Sequence, residues 1–219
     1  MSDGDSFIRE VSEDVRRDRL YGLMRRYGWI AIAAVVLLVG GAAFLEWRTA
    51  SERRAAQAYG DALIAALSNE EAEARAAALA DLPPADTPEA RALTGFLDAA
   101  LALEAGDRDG AAEALSSLAD AGDLPQVWSD LARLKTAMLL ADDMTPEDRI
   151  ARLEPLAAPG APYRLLAEEQ IALAEIDAGD RDAALARLQA LRDDAEVTPE
   201  LQSRAVQLIL ALGGDARAA

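Results

Sequence analysis

Cysteine and histidine are both absent from this 219-residue chain. Without cysteine there can be no disulfide, no thiolate metal site and no sulfur nucleophile. Without histidine the commonest general base and the commonest metal ligand are missing. A zinc enzyme, a Ser-His-Asp hydrolase or an imidazole proton shuttle cannot be built from this chain. Carboxylates, Lys135 and hydroxyls remain, but no phosphate loop, dinucleotide fingerprint, GxSxG elbow or HExxH motif organises them. The expectation is a protein that is not an enzyme and has no cofactor. Aromatic residues are also scarce, at 5%. Strands favour aromatic and β-branched side chains, whereas alanine, abundant here, is the best helix former. The composition therefore predicts an all-α fold.

Charge is strongly one-sided, with a formal net charge of −17. Ahead of a long apolar run, Asp3, Asp5, Glu10, Glu13, Asp14 and Asp18 are balanced by Arg9, Arg16, Arg17, Arg19, Arg25 and Arg26. The whole net negative charge thus falls on the segment beyond the run. Such a segment repels nucleic acid and anionic lipid headgroups, which excludes nucleic-acid binding. Its acidity either keeps a helical domain in solution or attracts basic polypeptide.

The apolar run extends from Tyr27 to Leu45 and holds no charged side chain. As a helix it would reach roughly 28 Å, close to the ~30 Å hydrocarbon thickness of a bilayer. Tyr27 and Trp29 stand at one end and Phe44 and Trp47 at the other, where amphipathic rings prefer the headgroup level. Gly28, Gly40 and Gly41 are tolerated in a spanning helix. Arg16, Arg17, Arg19, Arg25 and Arg26 precede the run, against Arg48, Arg53 and Arg54 after it. That bias places the N-terminus in the cytoplasm and the C-terminal segment outside. A cleaved signal peptide is the competing interpretation, but 26 charge-dense residues ahead of so long a run argue against it. Phe7, Val11 and Val15, with Leu20 and Met24, form an amphipathic stripe in the tail. That stripe suits either the membrane surface or a partner.

Beyond the span, apolar spacing and breakers predict helices over 46–67, 70–81, 88–105, 109–121, 126–141, 146–157, 162–178, 181–194 and 198–212. Thr-Pro-Glu occurs at 87–89, 145–147 and 198–200, with threonine as cap and proline in the first helical turn. The segments read as a tail over 1–26, a span over 27–45, a stalk with the first helix pair over 46–82, and a repeat domain over 83–219. An internal repeat centres on Gly-Asp-Arg-Asp at 106–109 and 179–182, an offset of 179 − 106 = 73 residues. That is about two tetratricopeptide periods of ~34 residues plus a short insertion. Gly106 and Gly179 are placed to end one helix left-handed, and Asp109 and Asp182 to cap the next. Ala99 and Ala172, with Ala111 and Ala184, supply small side chains where helices cross. Leu115 and Leu188 are expected in the core.

Asp107-x-Asp109-Gly110 is a turn with a cap, since the later ligand of a calcium loop is missing. The carboxylate pairs Asp142-Asp143, Glu168-Glu169 and Asp193-Asp194 are expected on a solvated face. Trp128 is expected to pack between repeats.

The Arg-rich N-terminal helix leading into Arg25-Arg26-Tyr27-Gly28-Trp29, followed by degenerate helix pairs with Ala-Gly-Asp turns, resembles the tetratricopeptide-like family of ancillary SecYEG translocon subunits (the YfgM type). The chain departs from the repeat's aromatic pattern. Gly95 and Glu168 stand where tryptophan is typical, and Ala102 and Glu175 where tyrosine is. The resemblance implies one transmembrane helix followed by an α-solenoid in the periplasm, anchored in the bacterial inner membrane. It also implies protein partners, namely the SecYEG translocon and periplasmic chaperones. The alternative is a cell-envelope or cell-division scaffold that self-associates through its repeats.

Overall fold

The computed structural model describes residues 3–215, with the side chains of residues 3–28, 31 and 32 outside the description. The tail stripe Phe7, Val11, Val15, Leu20 and Met24 lies among those side chains. So do Arg16, Arg17, Arg19, Arg25, Arg26, Tyr27 and Gly28. Among the described residues all regular structure is helical. The helices are α1 (Asp3–Leu67), α2 (Ala72–Ala80), α3 (Pro88–Glu104), α4 (Arg108–Asp120), α5 (Gln126–Leu139), α6 (Pro146–Leu153), α7 (Arg164–Asp177), α8 (Arg181–Arg192) and α9 (Pro199–Ala211). Two 3₁₀ turns, Ala141–Asp143 and Glu154–Ala157, interrupt the series.

The chain divides into two compact units, 1–60 and 61–219. The first is the N-terminal part of α1. No proline occurs between Tyr27 and Ser68, so nothing removes an N–H from this helix. The helix has a stretch beginning at Ala33 that is long and apolar enough to cross a membrane. Val35, Val36, Leu37, Leu38 and Val39 are each at least 59% exposed. Gly40 and Gly41 have open space around the position of a Cβ.

The second unit is a series of helix pairs in which each helix packs on its sequence neighbours. We denote the first helix of a pair A and the second B. The end of α1 pairs with α2, α3 with α4, α5 with α6, and α7 with α8, while α9 stands as a final A helix. The core is accordingly a chain of small clusters. Leu63, Ala66, Leu79 and Leu101 form one, and Ala99, Ala111 and Leu115 the next. Larger ones lie around Leu153 and Ile171, then around Leu188 and Ile209. Each pair buries its apolar face only by stacking on the next, the defining economy of a solenoid.

The helix boundaries have local causes. The hydroxyls of Thr87, Thr145 and Thr198 accept hydrogen bonds from the backbone N–H groups of Ala90, Asp148 and Leu201 at 3.2, 3.1 and 3.3 Å. One expected helix, 146–157, ends early. Pro155 has no N–H for the ladder, and the last residues tighten into a 3₁₀ turn. At the turns between A and B helices, Gly106 and Gly179 take φ of +79° and +80°. The following N–H reaches back to Ala102 O and Glu175 O, at 2.8 Å in each case. Gly213, 34 residues after Gly179, ends α9 in the same way with φ of +74°.

The expected caps Asp109 and Asp182 require correction. The carboxylates that accept from the helix N-terminus are those of Asp107 and Asp180, bonded to Gly110 N–H at 2.9 Å and Ala183 N–H at 3.1 Å. A capping side chain reaches the N–H three residues on. Each B helix begins immediately after Asp107 or Asp180, which puts Asp109 and Asp182 inside the first turn. There they face only the positive end of the helix dipole. Asp107→Ala and Asp180→Ala should therefore each cost about 1 kcal/mol. Asp109→Ala and Asp182→Ala should cost about 0.3–0.5 kcal/mol. Denaturant unfolding of the full chain in detergent, followed by circular dichroism, measures both.

Candidate protein-binding surface

At four successive joints an arginine near the start of a B helix reaches the C-terminal end of the following A helix. Arg75 of α2 pairs with Glu104, the last residue of α3. Arg108 of α4 donates through Nε to the carbonyl of Leu139, which ends α5, at 3.1 Å. Arg149 of α6 pairs with Asp177, which ends α7, at 2.7 Å. Arg181 of α8 donates to the carbonyl of Leu212 just beyond α9, at 2.6 Å. The last carbonyls of a helix lack internal partners and carry the negative end of the dipole, so a cation there is favoured. At the opposite edge, Arg91 pairs with Asp123, and Arg164 with Asp194 and Glu196, both at 2.8 Å.

The 73-residue register links ties in the two halves of the array. It relates Arg91 to Arg164, Arg108 to Arg181, Asp123 to Glu196 and Leu139 to Leu212. It also relates Ala99 to Ala172 and Ala111 to Ala184, which are all buried, and Leu115 to Leu188. The first set meets in one cluster, Ala99 against Ala111 and Leu115. In the second copy Ala172 and Leu188 share a cluster that extends onto α9. The α3–α5 and α7–α9 segments are thus two versions of one three-helix unit.

The aromatic positions of the tetratricopeptide pattern are filled differently in the two versions. In the first, Gly95 leaves room for Leu118, whose side chain would lie 2.9 Å from a Cβ at residue 95. In the second, Glu168 and Glu175 both accept from Arg187, Glu175 through Nη2 at 2.7 Å. The register mate of Arg187 is Ala114. Three small residues (Gly95, Ala102, Ala114) in one copy are therefore exchanged for a charged triad (Glu168, Glu175, Arg187) in the other. Hydrogen bonds from Arg187 to Glu175 and Glu168 hold the guanidinium above its ordinary pKa.

Of the carboxylate pairs expected on a solvated face, Asp142, Asp143 and Asp193 are exposed, whereas Glu168, Glu169 and Asp194 are drawn into ties between helices. Glu169 is buried and takes two bonds from Arg204 of α9, at 2.7 and 2.8 Å. Its neighbour Glu168 serves Arg187 of α8. Adjacent helical residues project about 100° apart, so one dipeptide binds α7 to two different helices. Asp143 pairs with Arg108 at 3.2 Å and Asp194 with Arg164. The Arg164 bond, and then the N–H of Glu196, hold the Asp194 carboxyl below its ordinary pKa.

Between α3 and α5 these contacts leave an open apolar groove of about 340 Å³. Ala99 and Leu115 floor it, and Leu103 and Met138 wall it, 46% and 50% exposed. Phe96 closes one end against Trp128, with ring centroids 6.1 Å apart and tilted, so Trp128 packs between pairs. Lys135 is the cation in the groove lining. Among the described residues no group of carboxylates converges as a metal site.

Stacked helix pairs with a groove on their A helices define a helical-repeat protein of the kind that binds other proteins. The family model for a tetratricopeptide repeat-like domain matches residues 24–169, more than half of the chain, and the protein belongs to that family. Neither the curated proteins nor the solved structures include a match to it.

Removing Arg187 alone strands two carboxylates, one of them buried. Arg187→Ala should cost about 2 kcal/mol, short of the ~3–5 typical of a fully buried pair because the side chain keeps some solvent contact. The triple variant Glu168→Gly, Glu175→Ala, Arg187→Ala, which copies the first version, should recover at least half of that loss in denaturant unfolding. Acid should weaken the fold through Asp194. Its folded pKa is depressed, so its contribution is complete above the unfolded carboxylate pKa and fades as pH falls through the folded value. Asp194→Asn should lower the unfolding midpoint at neutral pH and flatten its fall between about pH 5 and pH 3.

Proposed function

We propose that this protein is a membrane-anchored helical-repeat adaptor whose second unit lies on the periplasmic side of the bacterial inner membrane and binds proteins there. Within that reading it is an accessory subunit of the SecYEG translocon that links it to periplasmic chaperones. The single observation that carries the proposal is one chain combining an unburied apolar helix of spanning length with a solenoid that presents an open groove. The five consecutive apolar side chains from Val35 to Val39 would face water unless lipid covers them. The arginines ahead of the span favour a cytoplasmic N-terminus. The acidic unit beyond it is kept off anionic headgroups, leaving its surfaces open to polypeptide. Confinement beside the membrane raises its effective concentration near a membrane-embedded partner.

The absence of native cysteine makes the topology directly measurable. A Glu113→Cys chain should react with a membrane-impermeant maleimide in intact spheroplasts; reaction only after lysis would reverse the orientation. Photo-crosslinkers at Leu103 and Met138 in cells should capture translocon subunits or periplasmic chaperones. Recovery of crosslinked homo-oligomers alone would replace the translocon reading with that of a self-associating envelope scaffold.

A further inference from the structure

Five of the eight residues that line the groove between α3 and α5 differ from their mates in the second version of the three-helix unit, and at two of the five a leucine there replaces a small or charged side chain here. In the 73-residue register Ala100 corresponds to Leu173 and Lys135 to Leu208. Leu208 packs against the buried cluster of α7, α8 and α9. The equivalent volume in the first version is open, walled by Leu103 and Met138. One copy has thus used the space as core, and the other presents it to the outside.

Charge indicates the kind of occupant. Lys135 is the chain's single lysine, in a domain whose formal charge is strongly negative. Arginines pair with carboxylates throughout the described residues, yet none of those pairs involves Lys135, and those residues offer its ammonium no hydrogen bond either. An isolated cation in an apolar slot within an acidic surface is complementary to an apolar segment that brings one carboxylate with it. The acidic surroundings act against a second carboxylate and against a wholly acidic tail. From Phe96 to Leu103 the slot runs roughly 10 Å, the length of two helical turns.

We propose that this groove is the docking site for a short apolar polypeptide segment of the partner, with one acidic side chain set against Lys135. This rests on the adaptor reading above and adds to it the chemistry of the bound segment. Leucine stands at both positions in the second copy, where Ile176 and Ala211 replace Leu103 and Met138, so the double variant Ala100→Leu, Lys135→Leu fills the slot from two sides.

The test uses the full chain in lipid nanodiscs and three labelled 12-residue Leu/Ala peptides that differ only in a central Glu, Gln or Lys. Fluorescence anisotropy should give binding of the Glu peptide about tenfold tighter than that of the Lys peptide, with Gln between. Lys135→Glu should invert that order. The double variant should lose binding of all three while keeping the parent's melting curve. Equal affinity for the Glu and Lys peptides, or undiminished binding to the closed variant, would overturn the proposal. In-cell crosslinking of the closed variant separates this from the adaptor reading. Translocon capture that persists when peptide discrimination fails leaves the adaptor reading intact and sinks only the groove. No capture by the parent chain sinks the translocon reading, whatever the peptides do.

Discussion

A helix leaves its last carbonyls without partners, and in this array an arginine from the preceding pair meets that end at four successive joints. Arg75, Arg108, Arg149 and Arg181 each come from a B helix and each reach the end of the next A helix, across 29, 31, 28 and 31 residues. Two of them reach a backbone carbonyl and two a terminal carboxylate. In either case a cation sits at the negative end of the dipole, and Arg108 and Arg181 also supply a backbone carbonyl with a donor. The apolar clusters supply the area that drives stacking, but area alone does not set how far one pair slides along the next. A charged hydrogen bond at a helix end is directional and does so.

The two versions of the three-helix unit fill equivalent positions in different ways. Where Gly95 leaves space in the first version, Leu118 lies against it. Where Glu168, Glu175 and Arg187 replace Gly95, Ala102 and Ala114, a charged triad forms. The opposite happens across the A helices, where Leu173 and Leu208 replace Ala100 and Lys135. The first version has traded bulk on its A-helix side for an opening, and the second has traded the opening for core. α9 departs again. The α5 positions that pack under α6, Leu134 and Ala137, correspond to Gln207 and Leu210, which lie exposed. An outer face carrying Gln207 and Ser203 suits the end of a stack rather than its middle.

Features governed by contacts within one turn were legible in the sequence. The three Thr-Pro-Glu starts and the left-handed glycines depend on neighbours three or four residues away, and a pattern of residue types encodes them. The cap assignment failed by two residues because Gly-Asp-Arg-Asp offers two aspartates, and only the true helix start decides between them. The arginine ties could not be read from any local pattern. They join residues about thirty apart through a geometry that exists only once the pairs have stacked, and nothing local distinguishes Arg108 from Arg152. The 73-residue offset was the signal that could have found some of them, since Arg91 and Arg108 both have an arginine at that distance, in Arg164 and Arg181. The groove was hidden for the same reason. Ala100 and Lys135 look ordinary until they are set beside Leu173 and Leu208.

Because each pair touches only its neighbours, whatever happens at one joint is felt mainly at the next. A molecule seated between α3 and α5 would stiffen that joint and leave α7 to α9 nearly indifferent. A disturbance at one end of the array therefore fades before it reaches the other. Such a body is built as a rack rather than a relay: occupancy at one joint sends no message to a distant one.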